Sequence, residues 1–242
     1  MSPRAADEGV RLALIEAAAR LLAEEGPNAL TTRRLASEVG ASTMALYTHF
    51  EGMDDLRRAV RLEWFKRLFE QLAKVPRTTD PVADLAAQGW AYFFSAVENP
   101  HMFRATVVDP IGEPPVSTTG EGYWIPSIGI EAFRVLVDSV QRCTDEGRLR
   151  PGDAIGRALQ LWMMGNGVLV ACLAGFVTID YAIGHFYELS WSLLTTFGDE
   201  PEPARRSLER GRRRMERRMK SPSRGTRAAR AASVSADVAP RL

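Results

Sequence analysis

The stretch that most constrains the fold is residues 31–56, which read TTRRLASEVGASTMALYTHFEGMDDL. Two short helical segments, Thr32 to Val39 and Ser42 to Phe50, are separated by a turn at Gly40. Glycine suits such a turn because it adopts a positive φ without steric cost. Two short helices joined in this way predict a helix-turn-helix, a motif whose second helix can lie in the major groove of DNA.

The apolar residues of this stretch predict how its two helices pack. Leu35, Ala36 and Val39 form one face of the first helix, and the small Ala36 permits a close crossing. Leu46 is expected to anchor the second helix, and the hydroxyl of Ser42 is placed to cap it. The opposite face of the second helix is therefore expected to be exposed.

That opposite face carries side chains suited to DNA. Hydroxyls can reach base edges or phosphates, and a methionine can contact a thymine methyl group. Arg33 can read guanine with two hydrogen bonds, and Thr32, as the expected cap of the first helix, leaves backbone amides for a phosphate. For Tyr47 and His49 the alternative is helix packing. The predicted DNA-binding residues are Thr32, Arg33, Ser42, Thr43, Met44, Tyr47, Thr48 and His49.

The same stretch, including its LYTHF ending, resembles the DNA-binding region of the tetracycline-repressor (TetR) family. With the helices before and after it, the resemblance covers about residues 10–70. It implies an all-α fold, with an N-terminal three-helix DNA-binding domain and a C-terminal helical domain that binds a ligand and dimerises. We expect a homodimeric repressor that binds a roughly palindromic double-stranded DNA operator and responds to a small, largely apolar effector.

One position departs from the family pattern. Where the family commonly has a lysine at the start of helix four, this chain has Met53, followed by Asp54 and Asp55. Carboxylates stabilise a helix N-terminus but repel phosphate. The alternative is therefore a ligand-binding or scaffolding homodimer without specific DNA recognition.

Apolar residues recur at helical spacing through most of the chain, and no segment shows the alternation of a strand. The predicted domains are residues 1–52, a connecting helix at 53–75, a ligand-binding and dimerisation domain at 76–198, and a basic tail at 199–242. A loop rich in proline and glycine is expected at 109–127. The further predicted helices are Val10–Leu22, Met53–Leu72, Val82–Glu98, Pro100–Val107, Ser127–Glu146, Ala154–Ile179 and Tyr181–Phe197.

Charge is distributed unevenly along the chain. Residues 76–200 hold 7 basic and 15 acidic side chains, whereas residues 201–242 hold 13 basic and 4 acidic ones. Residues 205–220 are expected to form an exposed helix, and the rest of the tail has too few large apolar residues to fold. The tail either binds phosphates nonspecifically or is solvated and disordered.

Aromatic residues in the second half predict an apolar pocket with one amide, a composition typical of small-molecule sites. The candidate ligand-binding residues are Trp90, Phe94, Phe103, Trp162 and Asn166, each of which can also be ordinary core. The segments around them are similar to a TetR subgroup that often carries a tryptophan and a His-Gly pair, but here Asn166 precedes Gly167. The apolar run 161–179 approaches the length of a membrane span, and its glycines and Asn166 favour a buried dimer-interface helix.

Other functional classes lack their motifs. The three histidines are far apart in the sequence, and no Walker, GxSxG or HExxH motif is present. Cys143 and Cys172 are expected to be reduced and buried, and the N-terminus does not read as a secretory signal. We therefore expect a cytoplasmic protein that is not an enzyme, with no metal and no cofactor.

Overall fold

The computed structural model describes residues 3–108 and 129–220, and every regular element in these ranges is helical. The predicted all-α class is confirmed. The predicted loop at 109–127 and the end of the tail at 221–242 lie outside the described residues. The helices are α1 (Pro3–Glu25), α2 (Thr32–Glu38), α3 (Thr43–His49), α4 (Met53–Leu72), α5 (Pro81–Glu98), α6 (Pro100–Phe103), α7 (Ile130–Asp145), α8 (Ala154–Leu173), α9 (Ile179–Thr196) and α10 (Pro201–Lys220).

Local signals set most helix ends. Asp80, Asp153 and Thr178 cap α5, α8 and α9, because each side chain accepts a hydrogen bond from a backbone N–H in the first turn. The prediction that one helix runs from Ala154 to Ile179 is wrong. The chain turns after α8 at Gly175, whose φ of 78° interrupts the helix. Within residues 3–108 and 129–220, no helix has the length and apolarity needed to span a membrane.

A first buried core joins the N-terminal helices to the C-terminal ones. It contains Leu46 of α3 and Trp64 of α4, and Leu169 of α8 and Phe186 of α9 belong to the same cluster. Burying one large apolar side chain stabilises a fold by about 1.5–3 kcal/mol. The helix-turn-helix is therefore packed on a core that continues into the second half of the chain.

A second core lies among α5, α7, α8, α9 and α10 and includes Cys143. Cys143 is fully buried, and burial raises the pKa of its thiol to about 12. The predicted burial is wrong for Cys172, which is half-buried near the exposed end of α8. Both cysteines are free thiols.

The helix α10 packs along α5 and is not an exposed helix. Its residues Ala204, Leu208, Gly211 and Met215 follow spacings of four, three and four, and all four are buried. The prediction of an exposed helix and a disordered tail is therefore wrong for residues 201–220. The nine basic side chains of this helix obscured a narrow stripe of small and apolar residues.

Two carboxylates of α5 and its cap tie α10 to the fold. Burial by itself raises the pKa of Asp80, but hydrogen bonds from Arg210, the Ala83 N–H and Ser207 outweigh it and hold that pKa below its usual value. Asp84 behaves in the same way. The arginines that contact the two carboxylates are Arg148 and Arg210 at Asp80, and Arg142 and Arg214 at Asp84.

Candidate functional site

The turn between α2 and α3 has the geometry that the sequence predicts. Gly40 has a φ of 64°, and the Ala41 N–H donates to the Ala36 carbonyl at 2.9 Å. The Ser42 hydroxyl accepts from the Ala45 N–H at 3.3 Å and so caps α3. These contacts fix the start of α3 relative to the end of α2.

Burial divides α3 into an inner and an outer face. Leu46 is buried on the inner side, as are Leu35 and Ala36 of α2. On the outer side, Met44 is 69% exposed and Tyr47 is 56% exposed. The side chains of α3 and its cap that the structure exposes are Ser42, Thr43, Met44, Tyr47 and Thr48.

Arg33 differs from its neighbour Arg34. Arg34 lies 3.2 Å from Glu25 and 3.0 Å from Glu38, so intramolecular ion pairs hold it on the protein. Arg33 is exposed and makes no ion pair within the part of the chain that the structure describes. Its guanidinium is therefore available to a partner outside the chain.

The structure corrects the role given to Thr32. The cap of α2 is Thr31, whose hydroxyl accepts from the Arg34 N–H at 3.3 Å. Thr32 is the first helical residue, is half-buried, and places its hydroxyl 3.8 Å from the Met53 sulfur. Two consecutive threonines can each cap a helix, so the sequence alone did not distinguish them.

His49 does not share the exposed face of α3. Its side chain is only 8% exposed, and its Nε2 lies 3.4 Å from the carboxylate of Asp7 in α1. A helical residue three positions after Leu46 lies on the same side of the helix, which explains this placement. Only a small part of the His49 side chain is therefore accessible to DNA.

The start of α4 carries negative charge beside this surface. Asp54 is 95% exposed and lies 2.7 Å from Arg57, while Asp55 accepts a hydrogen bond from the Glu51 N–H. Arg57 is therefore engaged within α4. Arg58 is exposed, which leaves its charge available near the same helix end.

A cavity of about 170 Å³ is lined by residues of α4, α5, α7, α8, α9 and α10 and of the segment after α6. All its described lining residues are uncharged, and most are apolar or aromatic. Trp90 and Trp162, two of the five predicted ligand-binding residues, lie in its wall. An apolar cavity with a few polar groups is the usual form of a small-molecule site.

The other three predicted residues do not line the cavity, so the predicted pocket is not assembled as expected. Phe94 stacks against Trp90 with ring centroids 5.7 Å apart, and Phe103 packs edge-on against Trp64, also at 5.7 Å. Asn166 accepts a hydrogen bond from the Tyr92 hydroxyl at 2.7 Å, so its partner is a protein side chain. Each of these three residues therefore contacts a residue of the wall without lining the cavity itself.

Sequence reasoning missed several residues of the wall. Trp64 belongs to α4, which was expected only to connect two domains, and Thr106 lies in a π-helix over Arg104–Val108 that no sequence pattern indicated. The wall also includes Gln88 and Tyr92. Burial raises the pKa of Tyr92, so its hydroxyl remains a proton donor.

A row of large apolar side chains is exposed on α8, α9 and the turn between them. Phe176 in that turn is 82% exposed. Exposed apolar side chains that form one patch mark an interaction surface. The other members of the row are Met163, Val170, Ile179, Tyr181 and Leu189.

Two family models match the chain. Residues 14–60 match the model described as bacterial regulatory proteins, tetR family, which includes α2 and α3. Residues 85–194 match the model of the tetracyclin repressor-like C-terminal domain, which includes most of the cavity wall. These models identify the family and not a subgroup, so the resemblance to a subgroup with a His-Gly pair stays a prediction.

Two curated relatives are HTH-type transcriptional regulators without an assigned role. One, from Mycobacterium tuberculosis, is 28% identical over 122 residues, which are 50% of this chain and 56% of the relative. The other, from Bacillus subtilis, is 25% identical over 95 residues, which are 39% of this chain and 50% of the relative. The chain thus spans about half the length of these relatives.

Solved structures share the fold at low sequence identity. A gamma-butyrolactone receptor superposes with a TM-score of 0.65 at 15% identity, covering 87% of this chain and 98% of its own. CprB from S. coelicolor gives 0.65 at 19%, covering 85% and 97%. A regulator from Streptomyces fradiae gives 0.63 at 21%, covering 86% and 94%. By the two family models, which match residues 14–60 and 85–194, the chain belongs to the TetR family of bacterial regulatory proteins.

Proposed function

We propose that this protein is a transcriptional repressor that binds a palindromic operator as a homodimer and is controlled by a small apolar ligand. The observation that carries the proposal is the outer face of α3, where Met44 and Tyr47 are largely exposed although the opposite side of the helix is buried. An exposed methionine or tyrosine keeps apolar surface in contact with water, which is unfavourable. Their exposure on a short helix whose other side is buried is typical of a surface that binds a partner, and we call the exposed side chains Arg33, Thr43, Met44, Tyr47 and Thr48 the reading surface.

The proposed contacts follow from the chemistry of each side chain. Arg33 donates two hydrogen bonds to the edge of a guanine, and Met44 contacts a thymine methyl group. Thr43, Tyr47 and Thr48 bind base edges or phosphates through their hydroxyls. A regulator of this kind works where the DNA lies, so the proposed location is the cytoplasm.

The proposed dimer uses the exposed apolar row on α8 and α9. Burying Met163, Tyr181 and Leu189 against a second copy removes apolar surface from water, which favours association. Helix-turn-helix dimers bind half-sites about 34–36 Å apart, one turn of DNA. The dimer therefore sets the distance between the two copies of α3.

The proposed control acts through that distance. A ligand changes operator affinity only if it binds one conformation of the dimer more tightly than the other. The cavity is suited to this role because its wall includes α4, the helix that follows the reading surface directly. The fold of a gamma-butyrolactone receptor is similar, which supports a ligand-binding role for the C-terminal helices.

A second candidate is a ligand-binding or scaffolding homodimer without specific DNA recognition. The exposed Asp54 at the start of α4 favours it, because a carboxylate there repels the phosphate backbone. The two candidates differ in whether the purified protein enriches one DNA sequence from a mixture.

The test is selection of bound DNA from a random duplex pool by the purified full chain. We expect one palindromic motif, and we expect Arg33→Ala and Tyr47→Ala each to weaken binding to it by about 5- to 150-fold. The matched control is Arg134→Ala, which removes an exposed arginine of α7 and should leave binding unchanged. No enrichment by a soluble, dimeric wild-type protein would favour the second candidate.

A further inference from the structure

The wall of the cavity limits the charge of its ligand. None of the described lining residues is Asp, Glu, Lys, Arg or His. Placing an ionised group in an apolar site without a charged partner is strongly unfavourable. A ligand that fits this cavity is therefore uncharged.

Four polar side-chain groups of the wall already make hydrogen bonds within the protein. A group that has a good partner gains little from a ligand, because the new bond replaces an existing one. The hydroxyls of Tyr92, Tyr187 and Ser190 donate to Asn166, to the Arg205 carbonyl and to the Phe186 carbonyl. Oε1 of Gln88 accepts from the Ser139 hydroxyl.

Two other polar atoms belong to wall residues and have no partner. They are Nε1 of Trp64 and Oγ1 of Thr106, and neither finds a hydrogen bond within residues 3–108 and 129–220. Both side chains are fully buried, so solvent does not replace the missing partners. A buried donor without a partner is a rare and costly feature that calls for an explanation.

The Thr106 hydroxyl does not make the bond to an earlier carbonyl that other helical hydroxyls of this chain make. Hydroxyls inside α-helices usually donate to the carbonyl four residues earlier, and several in this chain do so. The residues with this bond are Thr48, Ser139, Thr144, Ser190, Thr195 and Thr196. Thr106 lies in the π-helix Arg104–Val108, and such wider turns are frequent at functional sites.

We propose that the ligand is an uncharged, largely apolar molecule with a carbonyl oxygen, which accepts hydrogen bonds from Trp64 Nε1 and Thr106 Oγ1. The indole N–H can only donate, so the ligand must supply an acceptor. The inference rests on the proposed function, since it assigns the chemistry of the proposed effector site. Both atoms are shielded in this conformation, so a ligand that reaches them must shift the neighbouring side chains.

The location of the two groups gives this bond a consequence. Trp64 belongs to α4, and the π-helix that carries Thr106 contacts both α1 and α4. A ligand held by both groups therefore connects the cavity to helices that support the reading surface. A ligand without the acceptor fills the same space but does not hold these helices.

The test compares two probes, propiophenone and propylbenzene, which differ only in that the first has a carbonyl group where the second has a methylene. Dissociation constants are measured on the full chain by displacement of the neutral dye N-phenyl-1-naphthylamine. The readout is the ratio of the two constants, which cancels the shared apolar contribution. We expect Trp64→Phe and the isosteric Thr106→Val each to lower the preference for propiophenone about tenfold.

A matched control keeps the assignment specific. Ser95 also has a buried hydroxyl without a partner among the described residues but does not line the cavity, so Ser95→Ala should leave the ratio unchanged. A ratio that neither Trp64→Phe nor Thr106→Val alters would overturn the inference, as would an equal effect of Ser95→Ala.

The outcomes separate this inference from the proposed function. Failure of both probes to displace the dye would count against the cavity as a site for neutral carbonyl compounds. The DNA selection does not involve the cavity, so a palindromic motif obtained there would stand whatever the probes show. If the wild-type protein enriches no motif, the proposed function on which the inference rests is contradicted.

Discussion

Replacing Gly211 by alanine distinguishes a packed α10 from an exposed one. In an exposed helix, glycine to alanine stabilises by about 1 kcal/mol, because alanine has the higher helix propensity. In this structure the added Cβ would lie 2.7 Å from the Ala83 carbonyl oxygen and 2.9 Å from the Ala87 nitrogen. Both are backbone atoms of α5, which cannot rotate away. The two helices must therefore separate.

The size of the effect follows from the contact. Restoring ordinary van der Waals distance moves α10 away from α5 by roughly 0.7 Å, and a gap of that size forfeits a quarter to a half of the dispersion energy. The buried Leu208 and Met215 each contribute about 1.5–3 kcal/mol at this interface. The expected cost is about 1–3 kcal/mol, which leaves a net loss of about 1 kcal/mol after the gain in propensity.

The assay is urea unfolding followed by circular dichroism, with the midpoint and slope compared among variants. The control is Gly9→Ala, because Gly9 is exposed in α1 and an added Cβ there meets nothing within 4 Å. We expect Gly9→Ala to stabilise by about 0.5–1 kcal/mol and Gly211→Ala to destabilise. Equal stabilisation by both substitutions would refute the packing of α10 on α5.

Two further predictions concern titratable groups. The pKa values of Asp80 and Asp84 are lowered in the fold, so their contribution to stability is present above the unfolded pKa of about 3.9 and is lost as the pH falls through the folded pKa. Urea unfolding at pH 7 and pH 3 should show this loss, and Asp84→Asn should reduce it; an unchanged difference would contradict the ion pairs. Burial raises the pKa of Cys143 to about 12. Iodoacetamide at pH 8 should therefore modify the half-buried Cys172 well before Cys143, as peptide mass spectrometry would show, and equal rates would contradict this.

The features that the sequence predicts well are local. The turn at Gly40, the cap at Ser42 and the burial of Leu46 depend on residues within about ten positions of one another. Even here, the choice between two adjacent caps required the backbone conformation of Thr31. His49 was misplaced because its helix is only two turns long, so a small rotation decides which side it faces.

The features that the sequence does not reveal depend on distant residues. The stripe on α10 finds its partners on α5 more than 120 positions earlier, and its nine cations made an exposed helix the simpler prediction. The cavity brings Trp64 together with Thr106 and Trp162 from three separate helices. Aromatic residues in the sequence predict an apolar site, but the sequence does not show that Phe103 packs against Trp64 and does not line the cavity.

The helix-turn-helix and the cavity both contact α4, and this arrangement limits how the proposed ligand would act. Met53 at the start of α4 touches Thr32, and Trp64 three turns later lines the cavity. Arg67, one turn further on, binds Glu63 of α4, Glu16 of α1 and Asn99 before α6. A 20-residue helix is about 30 Å long and moves nearly as a rigid rod. We therefore expect a shift of α4 against the cavity either to carry α1 with it through Arg67 or to break that contact, and in both cases to move Met53 relative to Thr32.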